Sequence, residues 1–199
     1  CEQLCSLDRA YALGVRILHI TWNYDNGLCG AAVTGGGGLT DRGRDFVKSA
    51  QSMGFALDMS HISERGFWDV PEIAEKLVIA GHSNSKKLCD VPRNLTDEQF
   101  TALVRIGGGA GINLYPEFLG LGRDINAAAA HVEHFLELGG EHAVFLGCDL
   151  DGIPYMPKGV TGVESIGELY NALLRKNYPE KLVRDIFWND LYEIMGRML

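Results

Sequence analysis

Apolar residues along the chain gather in short runs that alternate with longer amphipathic stretches, and most runs end on glycine or a polar side chain. The pattern predicts strands over 15–21, 55–60, 77–81, 109–114 and 143–147, each rich in Val, Ile, Leu, Phe or Ala. Between and after them it predicts helices over 6–13, 63–75, 124–138, 162–176 and 179–198. Two more start at evident caps: Thr40 opens a helix reaching residue 53, and Thr96, with Gln99 three residues on, forms a capping box for a helix to Arg105.

Five short apolar strands separated by helices require crossover connections and hence a parallel sheet, either doubly wound or closed as a (β/α)₈ barrel. The polar residues decide between them. Trp22 and Asn23 follow the first strand, His61 the second, His82 the third, Tyr115 the fourth, and Asp149 with Asp151 the fifth. Polar or aromatic groups at the C-terminal end of every strand mark the active-site face of a barrel, whereas a doubly wound sheet concentrates its chemistry at one switch point. The glycine run at 35–38 lies well past a strand, lacks the dinucleotide-binding spacing and reads as flexible loop. A barrel of about 250 residues spends roughly 31 on each βα unit, so the expected fold is an α/β (TIM) barrel that is incomplete, with about five of eight units. The whole of 1–199 reads as one domain. Open parallel edges expose unpaired backbone groups, so association of copies into a homo-oligomer is expected.

Composition narrows the function classes. The chain has 199 residues, is 46% hydrophobic and 22% charged, and so can bury a sizeable core. Eighteen Lys and Arg against 26 Asp and Glu give a net charge of −8 with no basic run to follow a phosphate backbone, which argues against nucleic acid as a partner. No apolar run approaches the roughly 18 residues of a membrane span, and residues 1–20 hold no uninterrupted apolar segment of a signal peptide. Cys1, Cys5, Cys29, Cys89 and Cys148 are odd in number and lack paired short spacings, so a reducing compartment, the cytoplasm, is expected.

Several residues could carry chemistry. His61 and His82 each stand just past an apolar strand, and neighbouring barrel strands would bring two imidazoles so placed to one metal ion; capping of a loop is the bland alternative for each. Asp149 and Asp151 end the last strand. A carboxylate there that faces the barrel axis can shuttle a proton or bind metal, and an Asx turn before Gly152 accounts for Asp151. Arg93 lies in the loop before the capped helix and could fork onto a substrate carboxylate, or else bond loop carbonyls at the surface. His131 and His134 have metal-ligand spacing, but the apolar residues around them assign their helix to the outer ring, away from the strand ends. No Ser or Cys sits in a nucleophile elbow or beside an evident base.

The segments Leu57-Asp58-Met59-Ser60-His61-Ile62-Ser63, Ala80-Gly81-His82-Ser83-Asn84, Pro92-Arg93-Asn94-Leu95-Thr96-Asp97 and Leu146-Gly147-Cys148-Asp149-Leu150-Asp151-Gly152 resemble those of the membrane (renal-type) dipeptidases, the M19 metallopeptidases. The resemblance covers nearly the whole chain. It implies a barrel of the amidohydrolase type in which two zinc ions hydrolyse dipeptides. It further implies that His61 and His82 are ligands of one zinc, that Arg93 binds the terminal carboxylate of the substrate, and that Asp149 contacts substrate as the acid/base group beside the metals. Two departures accompany it. The family holds its first zinc with a His-x-Asp pair and bridges both ions with a Glu, and no matching segment precedes Arg16, so only one half-site is visible. Trp22 stands where mammalian members carry a substrate-contacting His. The expectation is therefore the C-terminal portion of a zinc-dependent dipeptidase, weakly active at best as these 199 residues. Its rivals are an amidohydrolase acting on cyclic amides or lactones, and a non-catalytic barrel fragment that binds a peptide or partner chain.

Overall fold

Strand and helix alternate as the hydrophobic pattern requires in the computed structural model, which describes residues 5–198. In chain order the elements are α1 (Cys5–Ala12), β1 (Ile17–His19), α2 (Asp41–Ser52), β2 (Ala56–Asp58), α3 (Glu64–Asp69), β3 (Ile79–Ala80), α4 (Asp97–Arg105), β4 (Gly109–Ile112), α5 (Pro116–Leu119), α6 (Ile125–Glu137), β5 (Val144–Leu146), α7 (Ile166–Arg175), α8 (Glu180–Arg184) and α9 (Asp190–Met198). A 3₁₀ turn, Val163–Ser165, precedes α7, and a π-helical turn, Asp185–Asn189, joins α8 to α9.

Two compact units divide the described residues: 5–80 with 195–198, and 81–194. In the first, β1 pairs with β2 and β2 with β3, all parallel. Thr40 caps α2 by accepting the Gly43 N–H, and the helix buries Phe46, Val47 and Ala50 on the side that packs on β2. The first unit also ties its loops with side chains. Gln51, 2% exposed, donates to the Lys76 carbonyl and accepts the N–H groups of Glu75 and Lys76, which satisfies the backbone just before β3. The expected loop at 35–38 is present, and the Ser63 hydroxyl donates to the Gly37 carbonyl.

In the second unit β4 pairs in parallel with β5, and all four residues of β4 are buried, as befits a strand covered on both faces. The capping box of α4 forms both of its bonds, Thr96 to the Gln99 N–H and Gln99 back to the Thr96 N–H. Phe100 of α4 stacks on Phe135 of α6 with ring centroids 4.0 Å apart, and α6 packs in turn on α7. Close approach is built in after β5: a Cβ on Gly147 would meet the Gly81 carbonyl oxygen at 1.8 Å, and one on Gly111 would meet the same oxygen at 2.0 Å.

Some boundaries differ from the pattern. Helix α3 stops at Asp69 rather than 75, because Pro71 has no N–H to continue the helical ladder. The break between 176 and 179 falls where expected, at Asn177 in a left-handed conformation (φ 64°), but the helix expected over 179–198 is divided into α8, the π turn and α9. Helix α5 follows Tyr115 with Pro116 at its first position, where the missing N–H costs nothing. Among the described residues no helix is long and apolar enough to cross a membrane.

Candidate functional site

In the first unit, parallel pairing makes His19 and Asp58, the last residues of β1 and β2, direct register partners. Their side chains meet with Nε2 3.6 Å from Oδ2. Asp58 is only 6% exposed, and a buried carboxylate needs donors; its Oδ1 accepts the Ser60 N–H at 2.9 Å and the Ser60 hydroxyl at 2.5 Å. His61 follows β2, is buried, and stands edge-on to the His19 ring with centroids 5.5 Å apart. Its Nδ1 is 3.1 Å from Oδ1 of Asn23. An amide oxygen only accepts, so in the neutral ring the proton sits on Nδ1 and the lone pair on Nε2. An imidazole and a carboxylate side by side are donor chemistry suited to a divalent cation. Trp22, in the loop after β1, is 67% exposed.

In the second unit the candidate residues are connected by amides. Asn84, Asn94 and Asn113 are all buried. Asn84 uses its side chain as a strand would use its backbone: Oδ1 accepts the Asn113 N–H and Nδ2 donates to the Asn113 carbonyl, both at 2.9 Å. Asn94 accepts the Asn84 N–H at 3.3 Å and donates to the carbonyls of Cys89 and Phe118 at 2.9 Å, which anchors the residue after Arg93. Oδ1 of Asn113 accepts the Tyr115 N–H at 2.6 Å, so its Nδ2 faces the other way, 3.3 Å from Oδ2 of Asp149 and 3.5 Å from the His82 carbonyl. Arg93 is 5% exposed and its guanidinium lies over the Phe118 ring, 5.4 Å from the centroid. Phe118 in turn packs edge-on against Tyr115, and Tyr115 against Tyr155.

The turn after β5 departs from the expectation. Asp149, not Asp151, is the residue the turn is built on: it takes a left-handed backbone (φ 58°), and the Gly152 N–H donates to its carbonyl at 2.9 Å. A left-handed aspartate costs on the order of 1 kcal/mol, so its position is held by its surroundings. Asp151 is exposed. His131 and His134 belong to the helix layer, as expected. His131 is fully buried, accepts the Ser85 N–H at Nδ1 and donates from Nε2 to the Leu119 carbonyl, and burial depresses its pKa to about 4. His134 binds Asp97 at 2.8 Å. Burial pushes the Cys29 and Cys148 thiols up to about 11, so neither is a thiolate nucleophile near neutrality.

Three kinds of site residue escaped the sequence reading. His19 was readable only as a strand residue, though an imidazole inside an apolar run is a signal. Asp58, a carboxylate closing an otherwise apolar strand, is a stronger one. The asparagines gave no signal of their own, since each works through backbone groups far away in the chain.

Residues 2–198 match the family model described as membrane dipeptidase, peptidase family M19. An uncharacterized protein from the pqqA 5′ region of Klebsiella pneumoniae is 32% identical over 95% of this chain and 74% of its own length. An uncharacterized dipeptidase of Schizosaccharomyces pombe is 34% identical over 87% of this chain and 44% of its own length. Among solved structures, a metallopeptidase from Rhodobacter sphaeroides, liganded with a phosphinate mimic of the dipeptide L-Ala-D-Ala, superposes with a TM-score of 0.91 at 28% identity, over 98% of this chain and 59% of that one. A dipeptidase described as a metallopeptidase of family M19 superposes with a TM-score of 0.88 at 29% identity, over 97% of this chain and 61% of that one. The chain thus spans about three fifths of these solved relatives, and the β/α-barrel architecture expected from its strand pattern is borne out.

Proposed function

The chain belongs to the membrane dipeptidase family, peptidase family M19, and from that premise we propose that its reaction is zinc-dependent hydrolysis of the peptide bond of a dipeptide. In this reading His61 and His82 are zinc ligands, Arg93 takes the substrate carboxylate and Asp149 serves the leaving amine. The donor chemistry fits the metal: both ligands are imidazoles, and Asn23 holds the proton of His61 on the nitrogen that a ligand does not use. When bound, zinc supplies Lewis acidity toward an amide carbonyl and lowers the pKa of water.

The remaining work falls to the chain itself. A dipeptide carries a free carboxylate one residue from the scissile bond, and the fork of Arg93 matches both of its oxygens. The Phe118 face beneath the guanidinium restricts its orientation. In the proposed reaction Asp149 takes a proton from the attacking water and gives it to the departing nitrogen, a transfer that needs a fixed carboxylate rather than a swinging one. The observation that carries the proposal is the link made by Asn113, which joins the backbone of His82 to the carboxylate of Asp149 within one unit.

The test is hydrolysis of a panel of dipeptides before and after chelation. Dipeptide hydrolysis that chelation removes and zinc restores is the expected result, with zinc content falling in His61→Ala and His82→Ala. A zinc-loaded protein that leaves every dipeptide intact would overturn the proposal.

A further inference from the structure

We infer that Asn113 is a positioning residue for the proposed reaction: its amide sets the carboxylate of Asp149 and, through Asn84 and Asn94, ties it to the segment that carries Arg93. The inference rests on the dipeptidase reading for its functional meaning and on geometry for its structural content.

Position 113 directly follows β4, whose four residues are Gly, Ala, Gly and Ile, and it is fully buried. Continuing that apolar run would cost nothing. A buried primary amide costs about 1–3 kcal/mol for each group left unpaired, so an Asn here must be fully used. It is: both main-chain groups are taken by the Asn84 side chain, Oδ1 by the Tyr115 N–H, and Nδ2 by the His82 carbonyl and Asp149. Because Tyr115 fixes which end of the amide is oxygen, the end presented to Asp149 is the donor. The two Nδ2 contacts, 3.3 and 3.5 Å, are longer than the usual 2.9–3.0 Å, as expected where one nitrogen serves two acceptors.

Asp149 needs such a partner. Its backbone is in the left-handed region, reached by few residues other than glycine, and its carbonyl is committed to Gly152. The side chain then has a fixed origin, and the Asn113 donor on Oδ2 selects its rotamer. The same amide chain runs on from Asn113 to Asn84 to Asn94, the neighbour of Arg93. The group proposed to serve the scissile bond and the group proposed to hold the substrate carboxylate are thereby referred to one frame.

A double-mutant cycle on the zinc-loaded full chain separates positioning from structure. Asn113→Ala is expected to lower kcat for a dipeptide at least about tenfold while KM moves less than about threefold. In the Asp149→Ala background the same substitution is expected to change the residual rate less than about twofold, because the group it acts through is gone. An equal loss in both backgrounds overturns the inference. Asn113→Ser, which keeps a small polar side chain, covers the case in which the alanine variant does not fold, with the same expectations. An activity-independent arm follows the side-chain amide resonances of Asn113 and Asn84 by NMR. Asp149→Asn should shift them and Asp151→Asn should not, and resonances indifferent to Asp149 overturn the inference. A wild type that hydrolyses no dipeptide removes the dipeptidase reading alone, and the amide resonances then decide whether the network is as inferred.

Discussion

At Arg93 the difference between a planar fork and a point charge becomes measurable. The side chain is buried against Phe118 and its neighbour Asn94 is bonded to three backbone groups, so the guanidinium is held in a fixed direction. Lys at this position would keep the charge and lose the bidentate geometry and the stacking. Arg93→Lys is expected to lower kcat/KM for dipeptides at least about tenfold, roughly 1.4 kcal/mol, and to leave the slower turnover of dipeptide amides nearly unchanged. Equal losses for a dipeptide and its amide, measured with both enzymes, would show that Arg93 does not read the carboxylate. The arginine was legible in the sequence because it sits in a motif; its setting was not, because Phe118 and Asn94 reach it only through the folded loop.

The elements that place these side chains are short, and their precision comes from close backbone approach rather than from long ladders. β5 has three residues, and the chain leaves it at Gly147, directly beside the Gly81 carbonyl that precedes His82. A methyl group at 147 would have to displace that backbone by more than 1 Å, since the contact of 1.8 Å is far inside van der Waals distance. Gly147→Ala is therefore expected to destabilise the second unit by at least about 2 kcal/mol, read as a fall in the urea midpoint at unchanged slope. A midpoint within error of the wild type would mean that the strand ends are farther apart than described. Helix caps and strand order were legible from the hydrophobic pattern, since Thr40, Thr96 and the five apolar runs act locally. Strand lengths were not: polar residues after each strand leave the ladder to form the site loops, and only long-range contacts decide where. The π turn at Asp185–Asn189 was also hidden, because its residues continue an ordinary helical pattern and its Asp185–Asn189 side-chain bond is seen only once folded.

At the scale of the whole molecule, two buried groups in the second unit titrate in opposite directions and contribute to how stability follows pH. His131 is neutral and fully buried, with a pKa lowered from 6.5 to about 4 by desolvation. Between those values the unfolded chain binds a proton that the folded chain refuses, so this group's contribution is present above about pH 6.5 and is lost as pH falls toward 4, on the order of 3 kcal/mol in all. Asp190 is 3% exposed, has His142 3.7 Å from Oδ1, and keeps Oδ2 buried without a hydrogen-bond partner among the described residues. Desolvation pushes its pKa up from 3.8 to about 6, so here the folded chain is the one that holds the proton. Its contribution is present below about pH 3.8 and is lost as pH rises through 6. The windows overlap and the slopes oppose, so these two groups largely cancel between about pH 4 and 6. Replacing either one uncovers the other. His131→Gln, which retains an acceptor and a donor, should give a protein whose stability falls with rising pH across that window relative to the wild type. Asp190→Asn should give one whose stability rises with pH across it. Urea midpoints at half-unit pH steps for the three proteins provide the check, and parallel curves for all three would show that neither group titrates differently in the folded and unfolded chain.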